Sequence, residues 1–130
     1  MEDIETLSKT ASLLIHAAKM DENYTDKEKN IIKKTMSELG VKESNLNDLI
    51  LEAEKNEKNS NQILDFTKII KATGNNFKIT LVTSLWKIIY SDMSSDMYES
   101  NLMRRLTGLL YLDKKMVGDI KEKVKKDLAK

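Results

Sequence analysis

Proline and cysteine are absent from this 130-residue chain, and glycine occurs only four times. Average usage would supply roughly six prolines. Proline breaks helix interiors and concentrates in loops, turns and edge strands. Its absence, with so little glycine, disfavours loop-rich β sandwiches, polyproline linkers and collagen-like repeats. The lack of cysteine excludes disulfide scaffolds, thiolate metal sites and cysteine nucleophiles, and makes a reducing cytosol the simplest home. An excess of one charge is also missing: 22 basic and 21 acidic residues leave a net charge of +1. No large field therefore steers the chain toward nucleic acid. No apolar run approaches the ~20 residues of a membrane span. The longest, around Ile79–Tyr90, is interrupted by Thr80, Thr83, Ser84 and Lys87. The first residues, Met1-Glu2-Asp3-Ile4-Glu5, are acidic where a secretory signal needs a basic region. These features predict a soluble, cytoplasmic protein with no direct membrane insertion.

What the chain does have is helical periodicity almost throughout. Leu7, Ala11, Leu14, Ile15 and Ala18 mark a first helix ending near Met20. Ile31, Ile32, Thr35, Met36 and Leu39 mark a second, stopped by Gly40 in the left-handed position that follows many helices. Leu46, Leu49, Ile50 and Ala53 give a short third helix capped by Ser44, and the polar run Asn56–Asn61 reads as a surface loop. A fourth helix carries Ile63 to Ile70 and stops before Gly74. The fifth starts at an Asn75-Asn76 cap and contains Leu81, Leu85, Trp86, Ile88 and Ile89. Leu102, Met103, Leu106, Leu109 and Leu110 form the sixth. Asp113 caps a seventh with Val117, Ile120, Val124 and Leu128 on one face. The expected fold is all-α, a compact bundle of about seven helices in a single domain over residues 1–130.

An internal repeat organises these helices. Asp21 and Asp92 lie 71 positions apart, as do Glu28 and Glu99. At the same offset Leu14 pairs with Leu85, Ile15 with Trp86, Ile32 with Met103, Leu39 with Leu110, and Val41 with Leu112. Identity is low but the apolar pattern agrees, so the unit of helix, acidic loop, helix, turn, helix is expected twice, as two pseudo-symmetric halves.

Each acidic loop holds three spaced members: Asp21, Thr25 and Glu28, then Asp92, Asp96 and Glu99. Thr25 and Glu28 have the spacing of a capping box, and Asp96 with Glu99 is its Asp-headed analogue. Capping leaves Asp21 and Asp92 unexplained. One account is an Asx-type turn between helices. The other is that the carboxylates gather around a hard cation, with carbonyls and waters completing about six oxygens. Neither loop has EF-hand spacing, because Glu22, Tyr24, Ser94 and Ser95 interrupt it.

The second unit, from Leu85-Trp86 through Ser91-Asp92 and Asp96-Met97-Tyr98-Glu99 to Leu102-Met103-Arg104-Arg105-Leu106, resembles the TerB family. That family has a tellurite-resistance fold, which also forms the N-terminal region of the DjlA co-chaperone. Leu14 through Gly40 resembles the same pattern more loosely, and the likeness extends over about residues 5–128. It implies a seven-helix fold with pseudo-twofold halves and an acidic patch for a divalent metal. Carried over, that patch comprises Asp21, Glu28, Asp92, Asp96 and Glu99, with Thr25 a weaker position. The chain departs from the pattern at Glu22 and Met93, where the family has glycine, and at Ser95. With no cysteine and one outward-facing histidine, oxygen ligands favour Ca²⁺ or Mg²⁺ over Zn²⁺.

The remaining residues suggest no catalytic machinery. His16, the only histidine, aligns with Lys87 and is expected to face solvent. Trp86 aligns with Ile15 and is expected in the core. Arg104 and Arg105, the only arginines, are expected to place one guanidinium on the surface and pair the other with an acidic-loop carboxylate. The lysine-rich stretch from Lys121 reads as a solvated face. Tyr90, Tyr98 and Tyr111 cluster in the second unit and fit the core better than a partner groove. No nucleophile–base arrangement or phosphate-binding glycine loop is present, so an enzyme is not expected. Without proline there is no His-Pro-Asp tripeptide, so the chain is not a J-domain. Two functions are expected: a stress-response protein binding a divalent cation, or a metal-free helical adaptor with a protein partner.

Overall fold

The computed structural model describes residues 3–19, 25–59, 64–90 and 97–128, without the side chains of Asn59 and residues 97–100. Seven α-helices and no strand occur among the described residues. They are α1 (Ile4–Ala18), α2 (Asp26–Glu38), α3 (Glu43–Asn59), α4 (Leu64–Ile70), α5 (Asn75–Ile89), α6 (Met97–Leu109) and α7 (Lys114–Leu128). The 71-residue offset holds at the helix boundaries. Ile4 and Ala18 of α1 correspond to Asn75 and Ile89 of α5; Asp26 and Glu38 of α2 correspond to Met97 and Leu109 of α6. Glu43 and Lys114 open α3 and α7. The repeat is therefore longer than the apolar pattern alone indicated, and α4 is the one helix outside it.

The turn after the middle helix of each unit is the same. The Val41 N–H donates to the Met36 carbonyl at 3.0 Å and the Gly40 N–H to Ser37 at 3.1 Å. In the second unit the Leu112 N–H donates to Thr107 at 2.9 Å and the Tyr111 N–H to Gly108 at 3.3 Å. Both are Schellman turns, which satisfy helix-end carbonyls by placing one residue in the left-handed region. Gly40 takes that position at φ 109°, as its sequence position predicts, and Tyr111 takes it at φ 54°.

The buried apolar residues form one cluster to which all seven helices contribute. α1 sits at its centre, packed by α2, α3, α4 and α5; α5 in turn receives α2 and α7. Residues are therefore buried nearly all round α1 and α5. That explains why the β-branched sequence of α5 is helical: its hydrophobic face is too broad for a half-buried strand. Thr80 and Thr83 donate their hydroxyls to the carbonyls of Asn76 and Ile79, four residues back. On α1, Ser12 Oγ bonds the Ser8 carbonyl at 3.0 Å and the Ala53 carbonyl of α3 at 3.1 Å. Small hydroxyl residues here let α3 approach closely.

Three local expectations are corrected. α3 is not short: it runs 17 residues, through Asn59, and Ser44 is its second residue rather than its cap. The polar run from Asn56 is helical as far as Asn59 because α1 supplies it with partners. Asn56 Nδ2 donates to Ser8 Oγ at 3.4 Å, and Glu57 pairs with Lys19 at 2.9 Å and His16 at 3.5 Å. α5 is capped at Gly74 with no side-chain cap bond, so Asn75 and Asn76 lie within the helix. The Asp113 cap of α7 is present: its Oδ1 accepts the Lys115 N–H at 3.0 Å.

Candidate functional site

The first acidic loop ends in a complete capping box. Thr25 Oγ1 accepts the Glu28 N–H at 3.2 Å, while Glu28 Oε1 accepts the Thr25 backbone N–H at 2.9 Å and its hydroxyl at 3.0 Å. Glu28 is only 4% exposed, so this carboxylate is fixed at the third position of α2. Glu99 is the third residue of α6, in register with Glu28. Asp21, Asp92 and Asp96 lie outside the described residues, as does the side chain of Glu99. Among the described residues no three acidic or histidine side chains gather as a metal site.

Arg104 and Arg105 are both exposed on α6, and the expected pairing with Asp92 or Glu99 falls outside the described residues. His16 is partly exposed beside Glu57. Trp86 is in the core as expected, at 4% exposure, with Nε1 donating to the Val117 carbonyl of α7 at 3.2 Å. Tyr90 stacks on it, the ring centroids 5.8 Å apart.

Sequence reasoning missed a cleft between α6 and α7. It encloses about 790 Å³ and opens to solvent. Trp86, Met103, Leu112 and Val117 form its apolar floor, and Arg104, Lys114 and Lys121 its rim. Lys121 Nζ lies 5.3 Å from the centre of the Trp86 ring, a cation–π contact that tethers the ammonium over the floor. Among the described residues no acidic side chain lines the cleft. Tyr111 stands at its edge, 76% exposed, with Lys71 Nζ 4.9 Å above the ring. The tyrosine cluster thus divides: Tyr90 packs inward, Tyr111 faces out at this cleft, and Tyr98 lies among the side chains not described.

The duplicated three-helix unit, its matching turns and the capped acidic loop are accompanied by a match of residues 7–122 to the family model of tellurite resistance protein TerB. The chain belongs to the TerB family. Neither a curated protein nor a solved structure matches it. For a TerB-family chain, the repeat that carries the acidic motif is here a repeat of whole helices, not of the motif alone. Among the described residues no helix is long and apolar enough to cross a membrane.

Proposed function

We propose that this TerB-family chain is a non-enzymatic, cytoplasmic stress-response protein that holds a divalent cation at the acidic interhelical loops of its two units. The carrying observation is the register of Glu28 and Glu99, each the third residue of the helix that follows its loop. The donor set suits the ion: Asp21, Glu28, Asp92, Asp96 and Glu99 offer only carboxylate oxygens, the ligands of Ca²⁺ or Mg²⁺ rather than Zn²⁺. Glu28 Oε1 is already bound by Thr25, so a cation taking that oxygen would compete with the cap. The family's link to tellurite resistance supports the stress-response part of the reading.

A thermal-shift titration after chelation tests it. Ca²⁺ or Mg²⁺ at a hundredfold its Kd should add ~2.7 kcal/mol and raise the melting point by several degrees. Asp92→Asn with Glu99→Gln should abolish the shift. No shift from any divalent metal at millimolar concentration contradicts the proposal. The second reading, a metal-free adaptor, draws support from the cationic cleft between α6 and α7.

A further inference from the structure

The repeat allows the residues that line the cleft to be compared with their counterparts in the first unit. At the 71-residue offset Thr107 corresponds to Met36, and Lys121 to Ile50. Met36 and Ile50 are wholly buried in the first unit, where they join the common core. In the second unit Thr107 turns its hydroxyl to the Met103 carbonyl at 2.6 Å, and Lys121 reaches over Trp86. Two buried apolar side chains of α2 and α3 thus have a threonine and a lysine as counterparts on α6 and α7, and both counterparts line the cleft.

Glycine placement points the same way. Gly40 and Gly74 lie at helix ends and Gly108 in the last turn of α6, whereas Gly118 lies inside α7, where glycine is a poor helix former. Both line this cleft, and an added Cβ at either would meet nothing within 4 Å. Packing does not require them, and a side chain at either would project into open space. Tyr111, in a left-handed conformation that disfavours side chains, stands at the rim, and such strain concentrates at binding sites.

We infer that the α6–α7 cleft binds an acidic segment of a partner protein that carries a Leu- or Met-sized side chain. The anchor replaces the volume that Met36 and Ile50 supply in the first unit and covers the Trp86, Met103 and Val117 floor. Carboxylates beside it meet Arg104, Lys114 and Lys121, the charged side chains that line the cleft among the described residues. The inference rests on the adaptor reading and is independent of any cation at the acidic loops.

The test uses the whole chain in EDTA with three pools of fluorescein-labelled twelve-residue peptides. One has a central Leu with mixed Asp and Glu flanks, one the same centre with Lys flanks, and one acidic flanks with a central Ser. Anisotropy reports binding, and Trp86, the chain's single tryptophan, reports it from the cleft floor. The acidic Leu pool should bind saturably, weaken with added salt and change the Trp86 emission. The Lys and Ser pools should bind at least tenfold more weakly. Lys121→Glu should weaken the acidic Leu pool at least tenfold. Thr107→Met with Lys121→Ile, which installs the first unit's residues, should melt no lower than the wild type and lose binding at least tenfold.

Undiminished binding to that double variant, or equal binding of the three pools, overturns the proposal. So does failure of the acidic Leu pool to bind at 1 mM, or equal binding of a single-stranded oligonucleotide. Self-association of the protein alone that disappears in the double variant would put a second copy in the cleft and overturn a separate partner. Capture of cellular partners that survives in the double variant would leave the adaptor reading standing while removing the cleft as its seat.

Discussion

Gly40 and Tyr111 occupy the same position of the same turn, 71 residues apart, one as the residue that turn favours and the other as a residue it strains. A left-handed conformation costs an L-residue with a Cβ roughly 1–2 kcal/mol. Gly40→Ala should therefore destabilise the chain by about 1 kcal/mol. Tyr111→Gly should be neutral or stabilising by up to about 1 kcal/mol, because relief of strain is offset by loss of the Lys71 contact, worth ~0.5–1 kcal/mol. Urea unfolding measures both. A Tyr111→Gly variant that loses more than about 2 kcal/mol would make the ring a structural anchor instead.

Thr35 of α2 and Ser84 of α5 share a buried hydroxyl hydrogen bond that joins the two units. Thr35 Oγ1 also bonds the Ile31 carbonyl at 2.8 Å, which uses its only proton, so Ser84 is the donor between them. Ser84→Ala should cost about 1 kcal/mol, since Thr35 keeps its carbonyl partner. Thr35→Val deprives the buried Ser84 of its acceptor and should cost more, about 1–3 kcal/mol. Chemical denaturation of the two single variants checks the order; the reverse order would contradict this donor assignment.

The capping box predicts a local effect at the first acidic loop. Thr25→Ala removes the acceptor for the Glu28 N–H and the hydroxyl that Glu28 Oε1 accepts. The expected loss is about 1 kcal/mol, or a few degrees of melting temperature. An unchanged melting curve would show that the cap does not hold α2.

Asp3 supplies a pH-dependent term. Its Oδ1 caps α1 by accepting the Thr6 N–H at 2.8 Å, and that bond lowers its pKa from the ordinary carboxylate value. A depressed folded pKa gives stability that is present above the unfolded value and lost as pH falls through the folded one. The melting-temperature gap between wild type and Asp3→Ala should therefore be larger at pH 7 than at pH 2. A gap independent of pH would mean that the carboxylate charge plays no part in the cap.

Most of the fold was legible because apolar spacing and stop residues agree with it: Gly40, Asp113 and the Thr25–Glu28 pair each do what their types and positions suggest. The long α3 was not, because its last turns are polar in sequence and depend on Ser8, His16 and Lys19 of another helix. The cleft was hidden for a different reason. Lys121 continues a lysine-rich face and Thr107 sits unremarkably in an amphipathic helix, so only their burial-bearing counterparts Met36 and Ile50 mark them as openings. Comparing every aligned pair, polar ones included, would have set Met36 against Thr107 and Ile50 against Lys121 and exposed the contrast. Of the proposed cation ligands, only Glu28 has a described side chain, and its capping partner was readable directly from the spacing.

Calorimetric titration of Ca²⁺ and of Mg²⁺ into the chelated protein tests the proposed function most directly. The account predicts saturable heat for at least one ion with the wild type, and none with Asp21→Asn, Asp92→Asn and Glu99→Gln combined. No saturable heat with the wild type at millimolar ion, or the same isotherm for the triple variant, would contradict it.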